Sequence, residues 1–137
     1  MKESVLRDKS YKFALRVVNL YKHLAGEKKE FVLSKQVLRS GTSIGANVAE
    51  ASQAQSKADF VSKLSIAHKE SFETDYWLCL LRDAEYITAK QAESLITDCH
   101  ELQKLLTSSI KTAKKWKVES GKFEKVESEK LGIVKRC

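Results

Sequence analysis

Arg39, Ser43, Asn47 and Glu50 stand at intervals of four, four and three. On an α-helix, at 100° per residue, these four side chains fall within about 80° of arc on one face. A guanidinium, a hydroxyl, an amide and a carboxylate in one column could hold an anion or a nucleobase, or could hold one another. Arg39 and Glu50 carry opposite charges, so the column partly cancels its own attraction for an anion. The preferred reading is therefore a polar network, within a helical bundle or across a subunit boundary, in which Asn47 and Glu50 satisfy Arg39. The competing reading is a ligand or RNA contact. Beside the column, Leu33, Val37, Ser40, Ile44, Val48 and Ala51 make a core stripe about a quarter turn away. Gly41 and Gly45, four apart, leave one flank without side chains, so another backbone could pass close there. Each glycine costs about 0.5–1 kcal/mol relative to alanine, which close packing would offset; the equal alternative is a local bend with no partner.

Other chemistry finds little support. Cys79, Cys99 and Cys137 include no Cys-x-x-Cys pair, and His23, His68 and His100 are scattered. Cys79 and Cys99 lie in apolar helical stretches, where reduced cysteine acts as a small hydrophobe. Di-metal sites in bundles resemble paired Glu-x-x-His turns plus further glutamates, and no Glu-x-x-His occurs; Glu70, Glu73 and Glu101 have polar neighbours instead. Gly-x-Ser-x-Gly, phosphate-loop and dinucleotide patterns are absent too. The expectation is a chain that is not an enzyme and takes no metal or cofactor.

The elements that would position these residues are helices. In 137 residues there is no proline and only five glycines, and one domain of this size buries a core of its own. A first helix from Ser4 to Leu24 shows Ala14, Val17, Val18, Tyr21 and Leu24 at core spacing. Gly26 and the charged run to Glu30 make a turn, and helix two follows from Leu33 to Ser52. Ser56, with Asp59 three residues on, reads as a cap for helix three, Lys57 to Ala84. Its seam is Phe60, Leu64, Ala67, Ser71, Thr74, Leu78 and Leu81, narrow in the middle like that of helix two. Thr88 caps helix four, which runs to Lys115 on Ala92, Leu95, Cys99, Leu102, Leu106, Ser109, Ala113 and Trp116. The expected fold is an all-α, antiparallel up-and-down four-helix bundle over residues 1–116. The charged tail, 117–137, has little apolar periodicity and is expected to be mobile. Tyr76 and Trp77 are adjacent, so both cannot face the core. With Phe72 they are candidates for an oligomer interface, or simply for the broad face a middle helix needs.

The stretch LRSGTSIGANVAEA (Leu38–Ala51) resembles the signature of a bacterial four-helix-bundle family, also called the 23S rRNA intervening-sequence protein family. KESFETDYWLCLL (Lys69–Leu81) is similar to that family's third helix. The likeness covers about Ser10 to Lys115, with Gly45 where the family often has proline and Ala51 where it often has glycine. It implies a small bundle that forms ring-like homo-oligomers, commonly pentamers. Some members are encoded inside intervening sequences of 23S rRNA genes. A related branch serves diversity-generating retroelements as an accessory protein beside a reverse transcriptase and nucleic acid.

The charge balance agrees with a polyanion partner. The net charge is +7, and residues 1–24 hold six Lys/Arg against two acids, whereas residues 61–87 hold three against five. Lys9, Lys12 and Arg16 in helix one, and Lys111, Lys114, Lys115 and Lys117 at the end of helix four, are the candidates to meet RNA or DNA. No ribonucleoprotein or zinc-finger motif accompanies them, so such binding would follow the backbone and fall with salt. The alternative is a protein-interaction module whose charge serves solubility. No stretch approaches the ~20 apolar residues of a membrane span and no signal peptide opens the chain, so a cytoplasmic protein is expected.

Overall fold

The computed structural model describes residues 2–119 and 122–125. Four helices, α1 (Lys2–Gly26), α2 (Leu33–Ala51), α3 (Lys57–Asp83) and α4 (Ala89–Lys114), form an antiparallel up-and-down bundle. Two short strands follow, β1 (Trp116–Glu119) and β2 (Lys122–Lys125). Each helix packs against its neighbours in sequence, and α1 closes the bundle on α4 along a shorter seam.

The helix ends have local causes. At the start of α3, the Ser56 hydroxyl accepts the Asp59 N–H. At α4, Thr88 and Gln91 satisfy each other's backbone N–H groups in a full capping box. The start of α2 is built differently, because its N-cap residue, Val32, has no side-chain oxygen. Glu30 takes over. Its Oε2 accepts the N–H groups of Leu33 (2.9 Å) and Val32 (3.2 Å), and Oε1 accepts that of Ser34 (2.7 Å). The Ser34 hydroxyl donates back to the Glu30 carbonyl. Lys29, in the left-handed region at φ 54°, turns the chain so that Glu30 can reach in.

The seams of α3 and α4 enter the core as their spacing predicts. Leu64, Ala67, Ser71, Thr74, Leu78 and Leu81 are buried on α3, and Ala92, Leu95, Cys99, Leu102, Leu106 and Ser109 on α4. Where α2 and α3 are narrow they meet, and Thr74 donates to the Ser40 hydroxyl at 2.9 Å. Helix one needs correction. Its buried face is Leu6, Ser10, Phe13, Val17, Leu20 and Leu24, whereas Ala14, Val18 and Tyr21 are half-buried. Ser10 sits in the middle of the true stripe and hides it from a hydrophobicity count. Its place there follows from Gly45, whose missing side chain lets the Ser10 backbone approach. A Cβ on Gly45 would stand 3.1 Å from the Ser10 carbonyl oxygen, and one on Gly41 would stand 2.8 Å from both Val17 methyls.

Beyond α4, Lys117 takes part in the ribbon. The strands are antiparallel, with Trp116 opposite Lys125, Lys117 opposite Glu124, and Glu119 opposite Lys122. The Lys57 ammonium donates to the Trp116 carbonyl and ties the ribbon to the start of α3. Residues 126–137, Cys137 among them, lie outside the described residues.

Candidate functional site

Arg39, Ser43, Asn47 and Glu50 do line one face of α2, beside α3, but they do not form one network. Arg39 donates from Nη2 to Glu73 Oε2 at 2.6 Å, and its Nη1 stands 3.7 Å from Glu70 Oε1. Asn47 donates to the carbonyl and hydroxyl oxygens of Ser43 on its own helix. Glu50 takes Lys63 at 2.9 Å. The expectation that Asn47 and Glu50 satisfy Arg39 is corrected accordingly: both partners of the guanidinium come from α3. Residue types on α2 alone could not reveal carboxylates one helix away.

The aromatic candidates join this face. Trp77, half-buried, donates its indole N–H to Glu73 Oε2 at 3.0 Å. That hydrogen bond, helped by Arg39 and by the charge of Lys69, holds the Glu73 carboxyl below its ordinary pKa despite some desolvation. Tyr76 stands edge-on to Trp77, ring centres 5.1 Å apart, and remains 60% exposed. Phe72 stands edge-on to His68 of its own helix, ring centres 4.9 Å apart. The adjacent pair thus divides as expected, one ring inward and one outward.

Between α3 and α4 runs a polar seam that no motif announces. His68 lies 3.0 Å from the Thr107 hydroxyl. At the next level, Gln103 and Cys99 both donate to the Ser71 carbonyl, at 3.3 and 3.2 Å. Further along, the His100 ring N–H meets buried Asp75 Oδ2 at 2.9 Å, and the Cys79 thiol lies 3.6 Å from Oδ1. Among the described residues, no group of three or more His, Cys, Asp or Glu is placed to hold a metal ion.

The candidate cations fall into two classes. Lys9 reaches Glu101 on α4 at 3.1 Å, and Arg16 reaches Asp98 at 2.7 Å and the Ser94 hydroxyl at 2.9 Å. Lys12 pairs with Asp8 on its own helix. These three are taken up by carboxylates, two of them fastening α1 to α4. Lys111, Lys114 and Lys115 form no ion pair among the described residues, and the Lys117 side chain lies outside them. Because α1 and α4 are antiparallel, the end of α4 lies beside the start of α1, and the basic ends of both helices share one end of the bundle.

A family model described as 23S rRNA-intervening sequence protein matches residues 2–108. The chain belongs to that family. No curated protein matches it. A crystal structure of a protein of unknown function from the S23 ribosomal protein family of Bacteroides thetaiotaomicron is similar, with 63% sequence identity and a TM-score of 0.81. The similarity covers 82% of this chain and all of that one. In this 23S rRNA-intervening sequence family member, the family model's match ends at residue 108, inside α4. Among the described residues, no helix is long and apolar enough to cross a membrane. A groove of ≈ 620 Å³ opens where α1 and α4 diverge, floored by Leu20, Ile87 and Leu95.

Proposed function

We infer that the protein is a non-enzymatic, homo-oligomeric scaffold that associates with nucleic acid. The observation that carries this reading is the division among the cations. Lys9, Lys12 and Arg16 of α1 are paired with neighbouring carboxylates, while Lys111, Lys114 and Lys115, at one end of the bundle, form no ion pair among the described residues. The family's name, which ties it to intervening sequences of 23S rRNA, supports a nucleic-acid partner. Exposed Tyr76, Tyr11 and Leu15 support self-association, with a ring of five as the form to test first. Those same exposed side chains favour the second reading, a module that docks a protein, such as a reverse transcriptase, and leaves nucleic acid alone.

Light-scattering mass at low and high salt, with nucleic-acid absorbance recorded on the same peak, separates the two. A defined multimer carrying nucleic acid that salt removes is the expected result. A monomer, or a multimer with no affinity for added RNA or DNA, would overturn the scaffold reading and direct the search to protein partners.

A further inference from the structure

We propose that the outer face of α4 is a ridge that binds the phosphate backbone of duplex nucleic acid, and that Lys104 belongs to it with Lys111 and Lys115. This rests on the nucleic-acid half of the reading above and names its partner and its residues. The three lysines stand at intervals of seven and four, so they lie within about 40° of arc along about 16 Å of helix axis. From Leu102 to Val118 the chain has five lysines and no acid. None of Lys104, Lys111 and Lys115 forms an ion pair among the described residues. Glu93 and Glu101 bound the ridge on its N-terminal side, and Glu101 is already occupied by Lys9.

Complementing the helix dipole does not account for this row. That effect fades within the last turn, which holds Lys111 and Lys114. Lys104 lies well before it and is exposed, so its charge serves no helix end and no carboxylate. Lys114 lies about 80° round the helix from Lys104, off the ridge.

The face also indicates which nucleic acid fits. Thr112, exposed, lies along its edge, and hydroxyls and ammonium groups are the side chains that contact phosphate. Exposed aromatic rings lie elsewhere: Tyr11 on α1, Phe31 before α2, Tyr76 on α3. Trp116, at the far end, is half-buried. Single strands are held largely by stacking on such rings. A straight row of cations, with no exposed ring beside it among the residues whose side chains are described, suits a regular duplex backbone, whichever sequence it carries.

The test is binding by the full chain of a short duplex, as DNA and as RNA, and of the corresponding single strands, across a salt series. Wild type is compared with Lys104→Gln/Lys111→Gln/Lys115→Gln and with Lys9→Gln/Lys12→Gln, all matched for helicity and mass. Duplex should bind more tightly than single strand, and whichever duplex binds better names the source of the phosphates. The α4 variant should flatten the slope of log affinity against log salt by about 2.7, at 0.9 per phosphate contact. The α1 variant should leave the slope unchanged. An unaltered slope in the α4 variant, a loss confined to the α1 variant, or single strands bound as tightly as duplex would overturn the ridge while leaving nucleic-acid association standing. Absence of any binding by wild type would overturn both.

Discussion

Glu30 shows how one carboxylate can do the work of a missing cap. Three backbone N–H groups converge on it, and they lower its pKa below the ordinary 4.5 even though desolvation acts the other way. Since the folded value lies below the unfolded one, Glu30 contributes its full stabilisation above the unfolded pKa. That contribution disappears as pH falls through the folded value. Glu30→Gln should lower stability by about 1.5–3 kcal/mol at neutral pH, the range for hydrogen bonds to a charged group. In denaturant titrations the gap from wild type should close as the solution is made strongly acidic. Arg39 is a milder case, because its pairing with Glu73 is partly exposed. Arg39→Ala should cost about 0.2–1 kcal/mol and should change melting or oligomer mass more than nucleic-acid affinity. A variant of normal size and melting temperature with lost binding would reverse that assignment.

Among the elements, α2 is fixed against α1 by absent side chains. A methyl on Gly41 would sit 2.8 Å from both Val17 methyls, and the β-branched valine has little rotamer freedom to yield. Overpacking of this kind costs about 1–3 kcal/mol, against about 1 kcal/mol gained in helix propensity. Gly41→Ala should therefore be neutral to destabilising in thermal melts, and its cost should shrink when Val17→Ala makes room, a coupling that a double-mutant cycle reads directly. The sequence discloses α2, α3 and α4 well because their apolar and small residues keep unbroken spacing, and Ser56 and Thr88 mark two starts. It conceals the core face of α1, since Ser10 interrupts that stripe for a reason found only on α2. It conceals Glu30 as well, which lies outside the helix it caps. Most of all it conceals which cations are free, because Lys9 and Arg16 meet carboxylates more than eighty residues away in the chain.

For the whole molecule, the core of the bundle and the basic end of α4 can be tested apart: Lys111, Lys114 and Lys115 lie outside the buried core and form no ion pair among the described residues. Oligomer mass should then survive neutralising those lysines while nucleic-acid binding does not, which scattering and binding on the same preparation would show. The seam between α3 and α4 has a different consequence. Two heptad-patterned helices can slide along each other by a turn at small hydrophobic cost, but here the partners are keyed: 68 with 107, 71 with 103, 75 with 100. A slip of one turn sets the buried Asp75 against Ile96 or Lys104 in place of His100, and takes the Gln103 amide away from the Ser71 carbonyl. Misaligned bundles are thereby penalised more than the native one is favoured. A chain with leucine at Asp75, His100 and Gln103 should melt higher yet give broadened, multiple amide resonances. Such a chain would have exchanged a single alignment for extra cohesion.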